Sequence, residues 1–118
     1  MLIKKFEGLE CWIEARKLTN QVYKISKELF PRDYRLKDQI TGAAISIMNN
    51  ISEGFDCHSN SEFIRFLVYA RRSSSEVQNC LYIAQDQDYI DENIFIRTYQ
   101  QAERTRKIID GLIRYLKK

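Results

Sequence analysis

The sequence predicts an all-α protein, an antiparallel up-down-up-down four-helix bundle with residues 1–118 forming one domain. Three observations predict it. Along four long stretches, apolar residues recur in alternating steps of four and three, the mark of amphipathic helices. One proline and four glycines leave little material for turns, which suits few and long elements. No run carries the two-residue alternation of a strand.

The first helix is expected from about Leu9 to Phe30, with a seam of Cys11, Ala15, Leu18, Val22, Ile25 and Leu29. Trp12 and Tyr23 flank that seam. Pro31 ends the helix, because a proline disfavours helical backbone in the residue before it. The second is expected from Tyr34 or Arg35 to Glu53, with Leu36, Ile40, Ala43, Ala44, Ile47, Met48 and Ile51 on one side. Gly54 offers it a left-handed stop. Ser59 with Glu62 reads as a capping box that opens the third helix. Its seam is Phe63, Leu67, Ala70, Ser74, Val77, Leu81 and Ala84, and Gln85 to Asp88 break the run. Asp91 caps the fourth helix, whose inward set is Phe95, Tyr99, Ala102, Ile109, Leu112, Ile113 and Leu116.

Size and composition narrow the classes. A chain of 118 residues can bury a core without disulfides or metal. Charged residues make up 30% and apolar residues 44%, which excludes a disordered tail and a membrane protein. No stretch approaches the roughly 20 apolar residues that span a bilayer. Met1 to Glu7 is too short and too charged for a signal peptide. Cys11, Cys57 and Cys80 are odd in number and lack zinc spacing, so reduced thiols and a cytoplasmic location are expected.

Charge is unevenly shared. From Glu92 onward seven Lys or Arg stand against three Asp or Glu, so the fourth helix carries the whole excess of a chain with formal charge +3. Arg97, Arg104, Lys107, Gly111, Arg114 and Lys118 recur at helical spacing, a row about 30 Å long at about 1.5 Å per residue. Up-down order also gathers the start of the first helix, the loop from Gly54 to Ser59 and the end of the fourth. Lys4, Lys5, Arg114, Lys117 and Lys118 would then cluster near His58, opposed by Asp56 and Glu53. Such a surface suits the phosphates of a nucleic acid. A plain solvated helix face, with cations favoured at its C-terminus by the helix dipole, accounts for the same row.

A second pattern is polar. Gln39, Gly42, Ser46, Asn50 and Glu53 line one side of the second helix, and Glu62, Arg65, Tyr69, Arg72, Glu76 and Asn79 line the third. Serine and asparagine are poor helix formers, so their clustering suggests a contact. It could be a network between helices, a solvent face, a ligand site or a subunit contact. The subunit contact is the expectation, with Glu53, Arg72 and Glu76 at or near it. Trp12 and Phe66 are expected to pack within one chain.

Catalysis and cofactor chemistry find little support. The single histidine, His58, adjoins Cys57, but adjacent side chains rarely face each other as a nucleophile–base pair needs. Glu53, Asp56, Cys57 and His58 are the only clustered candidate metal ligands, and the Glu-x-x-His pairs of di-metal bundles do not occur. The glycines are scattered, so no phosphate loop is present. No catalytic residue, metal, cofactor, small-molecule substrate or membrane contact is expected.

The run Ser46-Ile47-Met48-Asn49-Asn50-Ile51-Ser52-Glu53-Gly54, preceded by Gln39, resembles the signature of the bacterial four-helix bundle proteins encoded in intervening sequences of 23S rRNA genes. Glu62-Phe63, Phe66-Leu67, Ala70-Arg71-Arg72-Ser73 and Glu76 look like that family's next block. Phe6 to Trp12 and Gly111-Leu112-Ile113 also fit, so the resemblance covers nearly the whole chain. Met48 stands where the family often has proline, and Arg72 where it often has glycine. The resemblance implies a homopentamer, and a fold similar to the accessory protein of diversity-generating retroelements, a basic partner of nucleic acid and a reverse transcriptase. It brings no catalytic residues.

The functional expectation is a non-enzymatic homo-oligomer that binds structured RNA or DNA through Lys4, Lys5, Arg104, Lys107, Arg114, Lys117 and Lys118. Five subunits would present a formal +15. The alternative is a protein–protein interaction scaffold with no direct nucleic-acid contact, in which the basic row only aids solubility.

Overall fold

The computed structural model describes residues 2–118. A single 3-10 turn, Phe6–Gly8, leads into four helices: α1 (Glu10–Leu29), α2 (Tyr34–Asp56), α3 (Asn60–Asp86) and α4 (Glu92–Leu116). No strand occurs among the described residues. Each helix packs on its chain neighbours, and α1 closes the ring against α4, so no helix crosses the bundle's diagonal. The result is a rod of 44 × 21 × 19 Å.

Paired residues run in opposite numerical order along neighbouring helices. Between α3 and α4, Arg71 meets Asp110, Gln78 meets Glu103 and Tyr82 meets Phe95. Between α2 and α3, Ser73 donates to Ser46, while Gly54 lies against Phe63 and Phe66.

The core is one continuous apolar column. Leu18, Val22, Ile40, Ile47, Ile51, Leu67, Val77, Leu81 and Ile109 are completely shielded from water. Every residue expected in the third helix's seam is buried. Burial of such a side chain contributes about 1.5–3 kcal/mol, and together they outweigh the intrinsic propensities of the segments.

Three details depart from the sequence expectation. Leu29 is exposed, and Phe30 takes the buried place at the end of α1 by stacking on Tyr89 at 5.4 Å. Gly54 does not stop α2; the helix continues to Asp56, Gly54 keeps right-handed geometry, and His58 supplies the left-handed residue at φ 53°. In α4, Thr98 and Thr105 are buried while Phe95, Tyr99 and Leu112 are only half-buried, because the inward row is rotated toward 98, 102, 105 and 109. Thr105 satisfies its hydroxyl by donating to the Gln101 carbonyl at 2.8 Å, which makes a buried threonine tolerable.

Caps fix the helix starts. Asp91 accepts the Ile94 N–H at 2.8 Å, as expected. Ser59 accepts the Glu62 N–H at 3.5 Å, but Glu62 turns its carboxylate to Arg65 rather than back to the cap, so only half of the capping box forms. Asp33 caps α2 through Leu36 N–H at 3.0 Å, and its second oxygen accepts the Tyr89 hydroxyl at 3.0 Å. That carboxylate holds the Tyr89 phenol above its ordinary titration range. Met48, in the position where proline would break the ladder, leaves α2 uninterrupted; it receives the Thr19 hydroxyl on its sulfur at 3.3 Å.

Candidate nucleic-acid interface

The basic surface is built where α1 and α4 meet. Glu14 is the hub of that seam. Although 5% exposed, it accepts Arg104 Nε at 3.0 Å, Gln101 Nε2 at 3.1 Å and Lys17 Nζ at 2.9 Å. The Lys17 hydrogen bond, then those of Gln101 and the charge of Arg104, hold its carboxyl below the usual range. A buried carboxylate needs such partners, since desolvation alone would push it up. The sequence pattern missed Glu14 because it sits one place outside the apolar seam.

Arg104 is therefore anchored through Nε, yet its side chain stays 62% exposed. Beside it lies an open depression of about 430 Å³ lined by Glu10, Gln100, Glu103, Arg104, Lys107 and Ile108. A second of about 350 Å³, lined by Ile3, Leu9, Cys11, Gly111 and Leu112 among others, continues it toward the chain's two ends. Burial pushes the Cys11 thiol up to about 12, so this cysteine is an inert wall of the groove. All three cysteines are unpaired.

The other expected cations behave differently. Lys4, Lys5, Lys107, Arg114, Lys117 and Lys118 are all exposed, and none makes an ion pair among the described residues. Arg114 folds back over Gly111, where a side chain would lie 3.7 Å from its guanidinium. Lys118 shares a depression with Asn60, Tyr115 and Leu116, which brings the C-terminus to the start of α3. Arg106, not singled out from sequence, is neutralised by Glu103 at 2.7 Å; with Gln78 this pair holds the Glu103 carboxyl at about 2. Acid partners thus occupy the α3-facing side of α4, where Arg71 also pairs with Asp110 at 3.0 Å. The α1-facing side and the C-terminal end keep unpaired cations.

The polar stripes of α2 and α3 divide in two. Asn50 donates to the Ser46 carbonyl and hydroxyl, and Ser73 reaches the same hydroxyl at 2.9 Å, so these residues form a network within the chain. Glu53, Arg72 and Glu76 are exposed and make no ion pair among the described residues. Arg72 lies 5.9 Å from the Tyr69 ring, and with Glu76 it lines a depression of about 350 Å³ that includes Gln39, Ser75, Asn79 and Cys80. Trp12 meets Phe6 edge-on at 5.5 Å and packs on the core. Phe66 is only half-buried, with Arg65 5.0 Å from its ring centre.

Among the described residues no cluster of three metal-ligating side chains forms, and no helix is long and apolar enough to cross a membrane. Cys57 donates its thiol to the Glu53 carbonyl at 3.3 Å.

Comparison with curated proteins returned no match. The solved structures include a similar fold in a protein of unknown function from the S23 ribosomal protein family of Bacteroides thetaiotaomicron VPI-5482. The two are 19% identical with a TM-score of 0.79, over 87% of this chain and 97% of the other. The family model described as 23S rRNA-intervening sequence protein matches residues 7–111. On that match, the chain belongs to the 23S rRNA-intervening sequence protein family.

Proposed function

We propose that this antiparallel, up-down-up-down bundle is a non-enzymatic, cytoplasmic homo-oligomer that binds structured RNA or DNA through the α1–α4 seam and the basic end. The observation that carries the reading is that, among the described residues, Lys4, Lys5, Lys107, Arg114, Lys117 and Lys118 make no ion pair, while Arg71 and Arg106 pair with acids on the adjoining face. Exposed cations, with Lys107 lining the open α1–α4 depression and Lys118 the one at the C-terminal end, give up little when phosphates replace water. Arg104 is the pre-positioned member, held by Glu14 through Nε while its side chain stays exposed. Such contacts position a backbone and do not read bases. Assembly around the exposed Glu53, Arg72 and Glu76 would repeat the basic end in each subunit and strengthen its field. The family's description supports RNA as the first substrate to test.

Filter binding to a 23S rRNA fragment at 50 and 200 mM salt tests the reading. Engagement of about six phosphates should weaken binding by on the order of 1000-fold across that range. Charge reversal at Lys107 and Arg114 should abolish it. Affinity indifferent to salt, or intact in the reversed variant, ends the proposal.

A further inference from the structure

At the opposite end of the rod, α3 and α4 present an aromatic face in which Tyr82 is exposed and Phe95 and Tyr99 are half-buried. Tyr82 is 50% exposed; its ring lies 4.9 Å from Phe95 and 5.9 Å from Tyr99, and Phe95 stacks on Tyr99 at 5.4 Å. The rings are in mutual contact, so no ligand enters between them. Their outer faces remain open.

Toward the end of the rod the charge beside this face is acidic, and on its other side Arg106, near Tyr99, is paired with Glu103. Asp86 follows Tyr82 by four residues on α3, and Glu92 precedes Phe95 by three on α4, spacings that put each carboxylate beside a ring. Both acids are exposed and neither makes an ion pair among the described residues. From Asp86 to Glu92 the chain has four acids and no lysine or arginine. The α3–α4 bend is thus an acidic stretch on a chain of formal charge +3, beside an α1–α2 bend of mixed charge that includes Arg32, Asp33 and Arg35. A phosphate-bearing ligand would be repelled there, and an uncharged apolar helix would bury the two carboxylates without partners.

We infer that this face docks an arginine-rich segment of another protein. A guanidinium stacks flat on a tyrosine ring and offers a bidentate edge to a neighbouring carboxylate, which matches an exposed Tyr82 with Asp86 one helical turn on, and Glu92 one turn before the adjoining Phe95. The inference is independent of nucleic-acid binding, since it concerns the other end of the rod and the opposite ligand charge.

The test uses the full chain freed of nucleic acid by nuclease, titrated with nona-arginine by calorimetry and by amide NMR at low salt. Binding should shift amides of residues 82–99 and leave those near Arg114 unmoved. Tyr82→Ala, and separately Asp86→Asn with Glu92→Gln, should each weaken it at least 10-fold, with helicity unchanged by circular dichroism. All three side chains point outward, so the variants keep the core. No binding, equal affinity in the variants, or shifts mapping elsewhere overturns the inference. So does concentration-dependent self-association that Lys117→Glu with Lys118→Glu abolishes, because the occupant would then be the basic end of a second copy.

Discussion

Two glycines on one helix, twelve residues apart, should answer the same substitution with opposite signs. At Gly54 an added Cβ would fall 2.7 Å from the Phe66 Cβ and 3.0 Å from Phe63 Cδ1. Phe66 Cβ is anchored to backbone and cannot swing away. Carbon atoms prefer about 3.5–4.0 Å, so α2 and α3 must part by about 1 Å there. Overpacking of that kind costs about 1–3 kcal/mol, against which alanine returns about 0.5–1 kcal/mol of helix propensity. The net for Gly54→Ala is a loss of about 1–2 kcal/mol, or roughly 4–8 °C in Tm for a domain near this size. At Gly42 nothing lies within 4 Å of the added carbon. Gly42→Ala should therefore gain about 0.5–1 kcal/mol. Urea denaturation at fixed protein concentration, with light scattering to hold the oligomeric state in view, measures both. A stable Gly54→Ala protein would refute the close approach of α2 and α3. A destabilised Gly42→Ala protein with altered mass would show that a second chain, not water, covers Gly42.

Four further outcomes follow from the ion pairs and the exposed acids. Glu14→Gln should lose about 1–3 kcal/mol of stability, because a buried charge-assisted cluster is weakened, and should bind RNA more weakly, since Arg104 loses the carboxylate that positions it; filter binding and denaturation together separate the two effects. Glu103 sits at about 2 against an ordinary 4.5. A depressed carboxyl stabilises the fold above its unfolded value, and that contribution disappears as pH falls from about 4.5 toward about 2; Glu103→Gln should flatten the acid limb of the stability curve over that window and leave the neutral plateau lower. Glu76→Arg should yield a smaller species by light scattering, and an unchanged mass would remove Glu76 from the subunit contact. His58→Ala should leave nucleic-acid affinity within about twofold, a change near 0.4 kcal/mol, as befits a residue that serves α2 by its backbone.

Much of this architecture is legible from spacing alone. The third seam, from Phe63 to Ala84, is buried at every expected position because helical period and burial coincide there. What pattern reading missed was polar or small. Thr98 and Thr105 belong to the core, but a hydroxyl that bonds back to its own helix looks hydrophilic in a sequence. Glu14 reads as a surface acid until Arg104, ninety residues later, comes alongside it. Gly54 reads as a helix stop, since glycine commonly ends helices; only the position of Phe66 reveals that it is small to let two helices touch. The basic row was visible as charge, but which neighbours the fold supplies decides that Arg104 is anchored, that Lys107 makes no ion pair among the described residues, and that Arg106, outside the row, is neutralised. Ser46 and Asn50 suggested a contact, and within the chain the Ser46 hydroxyl accepts both Asn50 and Ser73.

The Asp33 carboxylate has one oxygen on the first turn of α2 and the other on the Tyr89 hydroxyl. Two hairpin bends far apart in the chain are thereby tied by a single side chain. Fraying of one should release the other in the same step, so that extremity of the rod opens as a cooperative clasp, whereas among the described residues the three-residue bend at 57–59 makes only local side-chain hydrogen bonds and should open alone.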